Sequence, residues 1–104
     1  MHISFSPQLR NDALTISKSG DVLTINGKVF DFSVVGEGDD LPEVAIVESD
    51  FVEGITTRVD GRLHITLRLP YSRGGHVEAP PPLIDPSDGV LALPSLDEEL
   101  PHAD

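Results

Sequence analysis

Four histidines (His2, His64, His76 and His102) and eighteen acids are the groups in this chain with chemistry to offer. An imidazole that titrates near neutrality can serve as a base or a metal ligand. Two carboxylates across a cleft can divide acid and base roles in glycoside cleavage. The spacing supports neither use. The histidines have no ligand-like spacing, and there is no Gly-x-Ser-x-Gly, His-Glu-x-x-His, P-loop or Gly-x-Gly-x-x-Gly motif. Gly38-Asp39-Asp40 suggests a cation loop, but calcium wants six or more oxygens from a spaced ligand series, and no Asp-x-Asp-x-Asp-Gly pattern occurs. Asp39, Asp40, Glu43 and Asp50 read as solvated charge and His64 as a surface histidine. His76, in a glycine loop, is the better placed of the four. The absence of cysteine excludes a thiol nucleophile, a disulfide framework and a Cys-based zinc site. The expectation is a protein that is not an enzyme and uses no cofactor and no metal.

Charge narrows the partners. The net charge is −11, and it is unevenly spread. Residues 36–54 carry seven acids and no base, and residues 79–104 carry six acids and no base. Arg58, Arg62, Arg68 and Arg73 form a local basic stripe between these acidic runs. Phosphate contact needs a basic face, so nucleic acid is not an expected partner. No apolar run approaches membrane-spanning length, and Met1-His2-Ile3-Ser4 lacks the pattern of a signal peptide, so no membrane is expected and synthesis is placed in the cytoplasm.

The elements that would position these groups are strands. Asn26-Gly27 sits between two β-prone runs, and both residues tolerate the positive φ of a type I′ turn. The predicted hairpin spans 21–35, pairs Leu23 with Phe30 and Ile25 with Lys28, and gathers Leu23, Ile25, Phe30, Phe32 and Val34 on one core face. Val22, Thr24, Val29, Asp31, Ser33 and Val35 fall on the other. His2–Ser6 reads as an edge strand ending at Pro7, with Ile3 and Phe5 inward. Leu14–Lys18 joins the central hairpin through Ser19-Gly20, making a three-stranded meander over 13–35. Leu41–Ile46 suggests one helical turn, with Pro42 near its start.

A second hairpin runs from Phe51 to Leu69 around Asp60-Gly61, and two registers are open. A two-residue loop places Arg58 and Thr56 on the face of Leu63 and Ile65. A three-residue loop with a bulge at Gly61 sets Ile55 opposite Ile65, Thr57 opposite Leu63 and Phe51 opposite Leu69. The second is preferred because it opposes apolar to apolar. It also leaves Arg62, His64, Thr66 and Arg68 along the outer face.

The expected fold is mainly β: a small antiparallel sheet or sandwich built from two hairpins over 1–72, followed by an acidic, proline-rich extended tail over 73–104. Proline blocks helix and ladder alike. The tail nevertheless carries Leu83, Ile84, Val90, Leu91, Leu93 and Leu96, too many apolar residues for a purely solvating segment. It is expected to lie along a surface, by preference a neighbour's, because it can form little core of its own.

Gly20-Asp21-Val22-Leu23-Thr24-Ile25-Asn26-Gly27, with Phe30-Asp31-Phe32-Ser33 and the later Val59–Leu67 run with Leu69-Pro70, resembles a group of short phage and prophage proteins encoded in tail-morphogenesis clusters near fibre genes. The resemblance covers residues 1–72 and brings no catalytic residues. It implies a virion component of a tailed phage, at the tail tip, the baseplate or a fibre attachment. Such a component would be made in the host cytoplasm and would bind other tail or baseplate proteins, a second copy of itself included. The contact residues expected are Leu83, Ile84, Val90, Leu91, Leu93 and Leu96, with Arg58, Arg62, Arg68 and Arg73 pairing with acidic partners. Two alternatives stand beside it: a tail-fibre assembly chaperone absent from the virion, and an acidic inhibitor of a host nucleic-acid-binding protein.

Overall fold

The computed structural model describes residues 1–9, 13–46, 50–71 and 79–93. The fold is mainly β, with nine strands and no α-helix among the described residues. The strands are β1 (His2–Leu9), β2 (Ile16–Ser19), β3 (Val22–Ile25), β4 (Lys28–Asp31), β5 (Asp40–Leu41), β6 (Val52–Val59), β7 (Arg62–Tyr71), β8 (Leu83–Ile84) and β9 (Gly89–Val90). They form a five-stranded sheet in the order β5-β6-β7-β1-β8 and a four-stranded sheet in the order β4-β3-β2-β9. One buried cluster draws on both: Ile3, Phe5, Leu63, Ile65 and Leu67 from the larger, Ile16, Leu23 and Ile25 from the smaller, with Phe32 and Val35 beside them. Alternation puts every second side chain of β3 and β7 into this core.

Both hairpins close as two-residue turns. Asn26 (φ 49°) and Gly27 (φ 83°) make the first, and Asp60 (φ 52°) and Gly61 (φ 77°) make the second. The β3–β4 pairing is the predicted one, Leu23 with Phe30 and Ile25 with Lys28. Asn26 has a further task. Its Oδ1 accepts from the Thr15 backbone N–H at 2.7 Å, and its Nδ2 donates to the Ala13 carbonyl at 2.9 Å, which moors the chain entering β2.

Four expectations are corrected. The preferred three-residue turn at Gly61 does not form: Val59 pairs with Arg62 and Arg58 with Leu63, so Arg58 and Thr56 share the core face after all. The irregularity sits further along, between Glu53 and Thr57, at Gly54 (φ 70°). It turns Val52 inward and leaves Ile55 59% exposed. Second, Val34 is 75% exposed and Val35 is buried, because β4 ends at Asp31 and a 3-10 turn over Phe32–Val34 replaces the two-residue period. Third, β1 is not a simple edge strand. It pairs in parallel with β7 over its whole length, Ile3 with Ile65 and Phe5 with Leu67, and carries β8 on its other side at His2–Ile3. The single turn near Leu41 does form, over Glu43–Ala45.

The fourth correction concerns the proline-rich segment. Residues 83–90 lie on this chain's own sheets. β8 pairs with β1 at one edge and β9 pairs with β2 at the other, so the segment straps the two sheets together. Leu91 is buried in the shared core, and Leu83 and Leu93 pack against it. Full burial of a leucine side chain is worth about 1.5–3 kcal/mol, enough to hold an extended segment whose φ angles are partly preset.

Candidate functional site

Arginines settle where the sequence-predicted contact residues go. Arg58 lies on β6 with its side chain 13% exposed. Its Nε donates to the Val35 carbonyl at 2.6 Å, and its terminal nitrogens donate to the carbonyls of Phe32 (3.3 Å) and Gly61 (3.2 Å) and to the Asp21 carboxylate (3.0 Å). Val35, Phe32 and Asp21 belong to the other sheet's connections, so Arg58 is a polar rivet between the layers. Glu37 caps the same corner by accepting from the Asp60 and Gly61 N–H groups at 2.9 and 2.6 Å. Arg68 donates to Glu43 and to the Asp50 carbonyl, while Glu43 also accepts from the Gly54 N–H at 2.9 Å and so clamps the β6 irregularity. Arg62 pairs with Asp85 at 2.6 Å. Arg73 and Leu96 lie outside the described residues, as does His76.

Two acids of the strap are its anchors. Asp85 accepts from the Met1 α-amino group at 2.8 Å and from Arg62. Asp88 accepts from Lys18 at 2.7 Å and from the Gly20 N–H at 3.1 Å. The Met1 amine and the Arg62 guanidinium hold the Asp85 carboxyl below the usual range. Hydrogen bonds from Lys18 and Gly20 do the same for Asp88. Those from Gly54 and Arg68 lower Glu43, and Ser33 lowers Asp31. These carboxylates are ionised, hydrogen-bonded structural groups; none is poised to take up a proton near neutrality.

Of the expected contact residues, Leu83, Leu91 and Leu93 are occupied by the core, and Arg58, Arg62 and Arg68 by internal partners. Ile84 and Val90 face solvent, Val90 at 88%. The register places Val90 in a row across the outer face of the four-stranded sheet: Val90 beside Ser17, Ser17 beside Thr24, Thr24 beside Val29. Val29 is also exposed. A shallow depression of about 150 Å³ lies along this row, lined by Thr15, Ser17, Thr24, Gly27 and Val90. The face is flat, made of hydroxyls and β-branched methyls, and ends at β4, which has no strand beyond it among the described residues. Such a surface offers shape and apolar contact to a partner.

The five-stranded sheet's outer face holds a juxtaposition that spacing along the chain did not reveal. The parallel register sets His2 directly beside His64, with ring centroids 4.9 Å apart and ring planes inclined by 38°. The signal for it would have been the β1–β7 pairing itself. Among the described residues no group of three or more His, Cys, Asp or Glu converges on a common point. Comparison with known protein families, curated proteins and solved structures gave no match.

Proposed function

We propose that this chain is a non-enzymatic structural component of a tailed-phage virion that docks on a neighbouring tail or baseplate subunit through the outer face of its four-stranded sheet. The observation that carries the reading is the row Val90–Ser17–Thr24–Val29, exposed at both valines, at the edge beyond which no strand lies among the described residues. Two exposed valines flanking two small hydroxyl residues make a surface that gains from being covered, and nothing in the strap covers it. The resemblance of the Gly20–Gly27 block and its neighbours to short tail-cluster proteins supplies the setting.

The strap changes how the proline-rich segment enters this reading. Residues 83–91 hold the domain's own layers together, so the segment contributes to this docking face through Val90, while Ile84 is exposed on the other sheet beside His2. The acidic run also finds internal uses: Glu37, Asp39 and Glu43 accept from this chain's own backbone N–H groups. That favours a structural part over a phosphate-mimicking inhibitor, whose acids would stand free toward a basic partner. Quantitative mass spectrometry of gradient-purified particles from the encoding phage tests the proposal. A structural component is present at fixed stoichiometry to the major tail proteins. An assembly chaperone is present in the infected cell and missing from the particle, and that result would replace this reading.

A further inference from the structure

We propose that His2 and His64 form a two-imidazole half-site for a divalent transition cation on the outer face of the five-stranded sheet. The argument begins with register. β1 and β7 run in parallel without interruption from His2–His64 to Leu9–Tyr71, so the two imidazoles project from opposed positions of a continuous ladder. Two nitrogens bound to one ion at about 2.0–2.1 Å each lie no more than about 4.2 Å apart. Ring centroids 4.9 Å apart are compatible with that spacing between ring nitrogens. Ser4 Oγ, two residues along the same face, lies 3.5 Å from His2 Nδ1, so Nε2 is the ring nitrogen outside that contact. An outer-shell contact of this kind orients a ligating ring.

The surroundings fit a cation. Arg62, the nearest basic side chain along β7, has its charge matched by Asp85. An open depression lined by Val59, Asp60 and Arg62 reaches His64, so that imidazole is accessible to an ion from solvent. The net charge of −11 enriches cations at the surface. Neutral imidazole nitrogen selects borderline ions such as Zn²⁺, Ni²⁺ and Cu²⁺, and passes over Mg²⁺ and Ca²⁺, which want oxygen. With two protein ligands the ion exchanges readily, unlike a closed four-ligand structural zinc. Once bound it ties the first strand to β7 beside the place where the strap meets β1.

Calorimetric titration of the full chain with ZnCl₂ at pH 7.5, in a non-chelating buffer, tests the assignment. The expected result is one saturable site per chain, weakened at least tenfold in both His2→Gln and His64→Gln and changed less than twofold in His76→Gln and His102→Gln. Zn²⁺ raises the melting temperature of the wild type and not that of His64→Gln, and MgCl₂ does neither. Both replacements are on an outward face, and their metal-free melting temperatures are expected to match the wild type. No saturable 1:1 binding by the wild type would overturn the assignment. So would unchanged affinity in His64→Gln, which would leave the chain's amino end and His2 as the binding groups.

Discussion

Replacing Arg58 with alanine is the sharpest perturbation of the fold that positions the proposed docking face. The guanidinium makes four hydrogen bonds, three to backbone carbonyls and one to Asp21, and is largely withdrawn from solvent. Removing one partner of a buried, hydrogen-bonded ion pair costs about 3–5 kcal/mol. Asp21 keeps 39% of its side chain in water and is not left as a buried bare charge, which brings the expectation down to about 2–4 kcal/mol. Domains of this size are stable by only about 5–15 kcal/mol, so the loss is a large share of the total. It corresponds to a fall in melting temperature on the order of 10–20 °C. Asp21→Asn, which leaves the three carbonyl bonds in place, is expected to cost about 0.5–1 kcal/mol. Arg58→Lys is expected to restore little, because an ammonium cannot span the fork of acceptors. Urea denaturation followed by circular dichroism measures all three. A cost below about 0.5 kcal/mol for Arg58→Ala, within the range of an ordinary surface change, would refute the idea that this side chain rivets the two sheets.

Other expected outcomes follow from single groups. Thr56 is fully buried and its Oγ1 has no hydrogen-bond partner among the described residues, so Thr56→Val is expected to stabilise the fold by about 1 kcal/mol, read in the same urea titration. Asn26→Ala removes both the turn conformation and the mooring of Ala13 and Thr15, and is expected to cost about 1–2 kcal/mol by thermal melting. The pH dependence has a definite sign. Asp85 and Asp88 are held below their ordinary values when folded, so their contribution is complete above the unfolded carboxyl value, about pH 4, and is lost as pH falls through the depressed folded values. NMR shifts of the β8 and β9 amides should therefore collapse toward unpaired values below about pH 4, before the β6–β7 hairpin does. In Asp85→Asn with Asp88→Asn, those amides should already be loosened at pH 7.

Much of the fold was legible in residue patterns, and the misses share a physical cause. Asn26-Gly27 and Asp60-Gly61 announce their turns through backbone conformation alone, a local property of two residues. Opposing apolar to apolar residues favours the bulged β6 register, whereas the observed one sets Arg58 on the core face. The fold meets the cost of that charge with three backbone carbonyls, two of them and a carboxylate brought from the other sheet's side, far from Arg58 in the chain. Alternation carried past Asp31 puts Val34 inward, but there the Asp31 carboxylate accepts from Ser33 N–H and starts a 3-10 turn. The strap reads as a neighbour's ligand because it can form little core of its own; the core that receives Leu91 comes from the two sheets, which its own pattern does not reveal. In the fold, β8 and β9 take two residues each, between prolines and not through them. The His2–His64 contact depends on the parallel pairing of β1 with β7, which no local pattern announces.

The claim that the outer face of the four-stranded sheet is the docking surface is tested most directly by incorporation. Val29→Glu with Val90→Glu places two charges on that face at positions already exposed, so the domain is expected to fold with an unchanged melting temperature. Particles assembled with this variant should contain it at less than a tenth of the wild-type stoichiometry by quantitative mass spectrometry. Incorporation at the wild-type level by a folded double variant would contradict the account.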